Sequence, residues 1–251
     1  MSWFKSLGRR CVAETVTMRH RAGAGAASML RRGAVSIALY AILGGTAVPA
    51  SAGQTAAPIK ILAFGDSLTA GYGLADLKDA FPAQLERALV AKGYSVNVVP
   101  GGISGDTTSG GVSRLEWSLA GKPDAVIVEL GANDGLRAID PKLTADNLRT
   151  IVGRMRRDGT PVLLTGMLAP PNFGRDYGDR FNAVFPTVAK ETGALFYPFF
   201  LDGVAAVPEL NQDDRMHPTP KGVAVVVARI LPSVEKLVRQ VEARRGGKPA
   251  P

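Results

Sequence analysis

Residues 59–73, IKILAFGDSLTAGYG, decide how the rest of the chain is read. An apolar run with β-branched residues stops at Gly65-Asp66-Ser67 and a glycine-rich segment follows, the pattern of a strand that ends by delivering a serine to a sheet edge. In an α/β protein with parallel strands, the carboxyl ends of the strands border the crevice where ligands sit, so a hydroxyl there is placed for chemistry. A serine after a strand also serves as an N-cap or turn residue, and position alone does not choose between the two roles.

Downstream, strand and helix patterns alternate without an obvious repeat. A helix is predicted over 81–92, with Pro82 near its start, Gly93 beyond its end, and Phe81, Leu85, Ala88 and Leu89 at helical spacing. A strand follows over 94–99, a helix over 109–119 and a strand over 125–130. This last run, AVIVEL, is apolar except for one Glu, as expected of a strand buried on both faces. Helices over 141–157, 177–192 (despite Pro186) and 221–243, with strands over 161–165 and 194–197, complete the pattern. Five strands alternating with five helices predict one doubly wound parallel sheet with helices on both faces, occupying 59–243 behind a small-residue linker at 53–58. Residues 244–251, RRGGKPAP, have the composition of a disordered tail. The longest irregular stretches, 131–140, 168–176 and 198–216, all follow strands and so open on the same crevice as Ser67.

The first 52 residues read differently. Arg31-Arg32 precede an apolar stretch at 33–48, and Pro49 and Ala50-Ser51-Ala52 follow. That order of basic, apolar and small residues is a secretory signal peptide cut after Ala52, with the product periplasmic or secreted. The competing reading is a membrane anchor, but the run is interrupted by Gly44-Gly45 and is shorter than the roughly 20 residues a spanning helix needs. Met18 and Met29 are alternative starts. Of the formal charge of +8, residues 1–52 carry seven Lys/Arg against one acidic residue, leaving 23 − 21 = +2 for the rest. No basic groove for nucleic acid remains. The single cysteine, Cys11, departs with the leader, which excludes a disulfide framework and a thiol nucleophile. With no H-E-x-x-H, Cys pair or Walker loop, neither metal nor cofactor is expected.

Two histidines occur, and His20 belongs to the leader. If the protein works through a serine and a histidine, His217 is the base. It lies in Asp213-Asp214-Arg215-Met216-His217-Pro218, just before the last helix. A carboxylate three residues earlier can fold back to hold one imidazole nitrogen and leave the other to take a proton from a serine, although a lone histidine before proline also suits a plain turn. Acyl transfer needs donors where the oxyanion develops. The Ser67 N–H, the Gly105 N–H in Gly102-Ile103-Ser104-Gly105-Asp106 and the Asn133 amide in Gly131-Ala132-Asn133-Asp134 all fall at strand ends. Each is a weak turn motif alone; their order after successive strands is specific.

These residues are similar to the four blocks of the GDSL, or SGNH, hydrolases: GDSL at 65–68, Gly105, GAND at 131–134 and DxxHP at 214–218. The segments FGDSLTAGYG, ISGDTTSGG, GANDGLR and APPNFGRDYGDRF resemble the bacterial periplasmic arylesterase, acyl-CoA thioesterase and lysophospholipase branch. The resemblance spans 59–230. It implies a flavodoxin-like α/β/α domain, with Ser67 as nucleophile, His217 as base, Asp214 as its orienting acid, and Ser67, Gly105 and Asn133 as oxyanion hole. Gly102 departs from the pattern, since many members carry a polar residue there. No G-x-S-x-G surrounds Ser67, so the α/β-hydrolase elbow does not apply.

Residues 168–181, LAPPNFGRDYGDRF, combine prolines, glycines and aromatics in the manner of a loop covering an acyl or aryl group, or of an ordinary connection whose aromatics pack on a helix. In the family branch this segment lines the acyl pocket. Leu168, Pro170, Phe173 and Tyr177, with Tyr72, Leu74 and Leu136, are therefore the candidate pocket walls, and 198–207 is another. The reading that results is an exported, monomeric serine esterase acting on small aryl esters, thioesters or lysophospholipids through an acyl-enzyme. Its alternatives are a carbohydrate O-acetylesterase and, in another class, a non-catalytic flavodoxin-like binding module.

Overall fold

The computed structural model describes residues 57–246; the leader and residues 53–56 of the linker lie outside them. The chain enters at strand β1 (Ile59–Gly65) and turns at once into a one-turn helix α1 (Ser67–Ala70). Helix α2 (Phe81–Ala91) leads to β2 (Val96–Gly102). Two short helices, α3 (Thr108–Ser113) and α4 (Leu115–Leu119), precede β3 (Ala125–Glu129). Next come α5 (Ala132–Leu136), α6 (Pro141–Arg157) and β4 (Val162–Thr165). The last part holds α7 (Arg175–Asn182), α8 (Val184–Thr192), β5 (Leu195–Tyr197) and α9 (Pro220–Arg244).

All five strands are parallel, in the order β2-β1-β3-β4-β5. β3 is central and fully buried along its length, as a strand covered by helices on both faces must be. Helix α2 packs on α9, while α6 packs on α3 and α8, giving the two outer layers of an α/β/α domain. The crossovers leave β1 in one direction towards β2 and in the other towards β3, so a crevice opens where those strands end. Ser67 follows β1 at that point.

Local chemistry sets the element ends. Asp140 caps α6 by accepting from the Lys142 amide at 3.0 Å, Pro141 occupies its first position, and Arg154, Arg156 and Arg157 fill its last turn. Thr219 caps α9 the same way. Pro232 sits inside α9 on an exposed position, where water can satisfy the carbonyl left without its helical hydrogen bond.

Several boundaries differ from the sequence expectation. Strand β2 runs to Gly102 instead of stopping at Val99 and contains Pro100, which an edge strand tolerates because one side of its backbone has no ladder to complete. The helix expected over 177–192 is two, breaking at Ala183, so that Pro186 falls in the first turn of α8, where its missing N–H costs nothing. The helix expected over 109–119 also breaks, at Arg114. Helix α9 extends to Arg244, and Arg245 pairs with Asp124 at 2.7 Å and donates to the Ala57 carbonyl. The body therefore includes the first residues of the expected tail.

Arg114 has a reason to interrupt the helix. Its guanidinium meets Asp106 at 2.7 Å, donates to the carbonyls of Gly65 (2.8 Å) and Gly101 (3.0 Å), and lies 3.9 Å over the Phe64 ring. One side chain thus ties the ends of β1 and β2 together, almost fully out of solvent. Arg114→Ala leaves the Asp106 carboxylate buried without a partner and is expected to cost about 3 kcal/mol of stability. Urea denaturation of the two proteins checks this; a loss below about 0.5 kcal/mol, the worth of an exposed pair, contradicts it.

Candidate active site

The turn after β1 is built on a buried carboxyl. Glu129, at the end of β3, stands beside Gly65, and its Oε2 accepts from the Thr69 hydroxyl (2.8 Å) and the Asp66 amide (3.3 Å). A Cβ on Gly65 would lie 2.1 Å from the Thr69 Oγ1 and 2.6 Å from Glu129 Oε2, so glycine is required there. Burial, reinforced by the nearby Asp66 charge, holds Glu129 well above the usual carboxylate range. Among the described residues its Oε1 has no hydrogen-bond partner, an arrangement far less costly for a neutral carboxyl than for an anion.

Asp66 is fully buried as well, and caps α1 by accepting from the Leu68 amide at 3.0 Å. Its second oxygen accepts from the Asn133 amide nitrogen at 3.1 Å. Burial pushes its pKa up to about 6, against the pull of those two hydrogen bonds and of His217. One N–H of Asn133 is thereby fixed on Asp66 and the other is left for the crevice.

Asn133 itself rides on a second buried carboxylate. Asp134 accepts from the amide and hydroxyl of Thr108 and from the Thr144 hydroxyl at 3.1 Å, which joins the loops after β2 and β3 to α6. Gly131, at φ 122°, makes this turn possible, and a Cβ there would strike the Phe185 ring at 2.9 Å. Gly102 meets a similar limit: its Cβ would lie 2.4 Å from the Ala70 nitrogen, so the residue that departs from the family pattern lets β2 close on α1.

The loop before α9 supplies the other half. An antiparallel bridge pairs Asn211 with Pro218, and within it the Arg215 amide donates to Gln212 O (2.8 Å) and the Gln212 amide to His217 O (2.8 Å). Asp214 Oδ1 accepts from the amides of Met216 (2.9 Å) and His217 (3.0 Å), and its Oδ2 lies 2.6 Å from His217 Nδ1. Partial burial would raise the Asp214 pKa, but the His217 and Met216 hydrogen bonds outweigh it and lower it to about 2. An ionised carboxylate only accepts, so Nδ1 carries the imidazole proton and Nε2 faces Ser67 Oγ, 2.9 Å away, as acceptor. Tyr72 packs on the imidazole with ring centroids 4.7 Å apart.

Ser67, Gly105, Asn133, Asp214 and His217 all line one cavity of about 730 Å³. Tyr72, Leu136, Leu168 and Pro170 line it too, and the stretch at 198–207 contributes Phe199, Leu201, Ala205 and Ala206. Phe173 and Tyr177, expected as pocket walls, do not. The Tyr177 hydroxyl donates to Ile139 O at 3.0 Å and its ring stacks on buried Phe181, while Phe173 packs edge-on against Tyr177. Helix α7 turns Tyr177 towards the core rather than the crevice, while Phe173, just before that helix, stays exposed beside it. Leu74 is likewise packed against the core instead of the cavity.

Gln212 was not singled out in the sequence. Its side-chain amide bridges Tyr72 O (2.8 Å) on the serine side and Pro218 O (3.0 Å) on the histidine side. Gly73, at φ 75°, leaves room for it, because a Cβ there would lie 2.1 Å from Gln212 Oε1. A glutamine inside a long loop carries no signal in one sequence. Met167 and Met216 also line the cavity unannounced.

Comparison with known proteins identifies the family. The model of the GDSL-like lipase/acylhydrolase family matches residues 63–225, and the chain belongs to that family. It is 40% identical to the arylesterase of Vibrio mimicus over 68% of this chain and 88% of that one. It is 39% identical to thioesterase 1/protease 1/lysophospholipase L1 of Escherichia coli K12, over 66% and 78%. The crystal structure of AlinE4, an SGNH-hydrolase family esterase, superposes with a TM-score of 0.61 at 43% identity, covering 71% of this chain and 96% of that one. By class the protein is an ester hydrolase of the SGNH type.

Two expectations follow from the site. Gln212→Ala releases the bridge between the serine and histidine loops, and is expected to lower kcat/KM for an ester about tenfold while leaving the melting temperature nearly unchanged; equal activity would show that the bridge does not position His217. The two carboxyls of the serine loop and histidine loop pull stability in opposite directions. Between its ordinary 3.8 and about 6, Asp66 keeps a proton in the folded chain that the unfolded chain has released, so its cost grows as pH rises through that window. Asp214 contributes stability above 3.8 that is lost as pH falls towards about 2. Asp66→Asn is therefore expected to gain stability relative to the parent as pH rises from about 4 to about 6 and to hold it above. Denaturant titrations across that range check this, and a constant difference contradicts it.

Proposed function

We propose that this chain is an exported serine esterase that cleaves carboxylic esters and thioesters through an acyl-enzyme. The observation that carries the reading is the line from Asp214 Oδ2 through His217 to Ser67 Oγ, at 2.6 and 2.9 Å, opening on a cavity of about 730 Å³. His217 Nε2 takes the Ser67 proton as Oγ attacks the acyl carbon, and the oxyanion settles among the Ser67 N–H, the Gly105 N–H and the free Asn133 N–H. The bond to the leaving oxygen or sulfur breaks, and that atom receives the proton from His217. Water then attacks the acyl-Ser67 ester with His217 again as base, releasing the carboxylic acid and restoring the serine. Asp214 holds the imidazole in the tautomer these steps need.

The cavity walls supplied by Met167, Leu168, Pro170, Phe199 and Leu201 suit an acyl chain or aryl ring. The names of the relatives support aryl esters, thioesters and lysophospholipids as the substrate classes. All groups of the site come from one chain, so a monomer suffices. Export rests on the leader-like residues 1–52, which precede the described body; within that body no helix is long and apolar enough to cross a membrane.

Ser67→Ala is expected to fold normally and to lose ester hydrolysis by several orders of magnitude. Asp214→Asn should lose less than His217→Ala, because a base remains. A series of p-nitrophenyl esters of increasing chain length, run beside an acyl-CoA and a lysophospholipid, reads the substrate class. Retained activity in Ser67→Ala overturns the mechanism, and turnover of acetyl esters alone overturns the substrate class.

A further inference from the structure

Arg215 stands in the turn between Asp214 and His217, and three observations about it belong together. It adopts φ 59°, a left-handed conformation that glycine takes freely and an arginine takes only against strain. Its side chain is exposed and, among the described residues, makes no ion pair or side-chain hydrogen bond. It also lines the reaction cavity, where, among the described residues, the only other charged one is Asp214, whose carboxylate is already committed to His217. The turn thus presents an unpaired guanidinium to the cavity from a backbone position that glycine would suit better.

The chemistry of the reaction says which part of a substrate passes it. His217 Nε2 must reach the leaving oxygen or sulfur to protonate it, so the leaving group departs beside the His217 loop. The oxyanion donors Gly105 and Asn133 lie on the loops after β2 and β3, away from that exit. Arg215 is two residues from His217, on the same loop, and lines the same cavity. A guanidinium offers a planar fork of donors that matches phosphate oxygens.

We propose that Arg215 is a specificity-determining residue that selects substrates whose leaving group carries a phosphate, whether a phosphorylated thiol or a glycerol phosphate. The proposal rests on the serine esterase reading. It predicts that the preference for such leaving groups is electrostatic and resides in this one side chain, with the acyl side of the substrate unaffected.

Two matched pairs test it. Butyryl-CoA is compared with the butyryl thioester of N-acetylcysteamine, which has the same reacting atoms and no phosphate. A short-chain monoacylglycerol 3-phosphate is compared with the corresponding monoacylglycerol. In each pair the readout is the ratio of kcat/KM values, so the neutral ester is an internal reference for any change in loop geometry. Arg215→Gly suits the backbone of the turn, and is expected to lower the ratio about fivefold in at least one pair, the size of a partly exposed charge contact. Arg215→Lys should keep most of the ratio, and added salt should lower the parent's ratio towards that of Arg215→Gly. The pair in which the ratio falls identifies the source of the phosphate. An unchanged ratio in both pairs, or an equal loss on charged and neutral esters, overturns the proposal. Failure of the parent to cleave even the neutral esters overturns the esterase reading, and this one with it.

Discussion

The buried carboxyl of Glu129 beneath the turn after β1 is the contact on which the site depends. It receives the Thr69 hydroxyl and the Asp66 amide, so the first turn of α1 is held down on the end of the central strand. Burial holds its pKa well above the usual carboxylate range, which favours the uncharged form as the acceptor in that place. With α1 pinned, Asp66 is buried in turn and faces Asn133. The serine and one candidate oxyanion donor are thus referred to a common base at the centre of the sheet, where the strands move least.

The second half of the site is positioned differently. The loop carrying Asp214 and His217 is long, and what steadies it is its own hydrogen bonding: a bridge at Asn211 and Pro218, a turn closed by Gln212, and two amides on Asp214. The two halves meet through few groups, chiefly the Ser67 to His217 hydrogen bond, the Tyr72 ring and the Gln212 amide. The serine and the histidine are thus braced by separate networks, and Arg215 lies in the second.

The architecture and the grouping of the site residues were legible because both follow from strand ends. Apolar runs of strand length, closed by glycine-rich turns, put the serine, Gly105, Asn133 and the Asp214 to His217 stretch on one edge of a parallel sheet. The family resemblance assigned roles within that set. Element boundaries were less legible where tertiary context overrode local preference, as at Pro100, which only an edge strand accepts, and at Arg114, which ends a helix in order to bind three other segments. The buried network was hidden for a related reason: a Glu in an apolar strand or a Thr at the start of a helix has no visible partner until the chain is folded.

The misplaced aromatics show what a composition argument leaves out. A segment with prolines, glycines and three aromatics looks like a cover for an apolar ligand, and Leu168 and Pro170 do line the cavity. Yet Tyr177, Phe181 and Phe185 recur every four residues, and in the fold they form a continuous row of ring contacts, first stacked and then edge-on, whose inner members are buried. That spacing is the signature of an inward helical face. The same stack explains why the turn at Gly131 cannot carry a side chain, since Phe185 occupies the space a Cβ would need. Core packing on α7 and α8 therefore reaches the site through the backbone of the Asn133 loop, and not by walling the pocket.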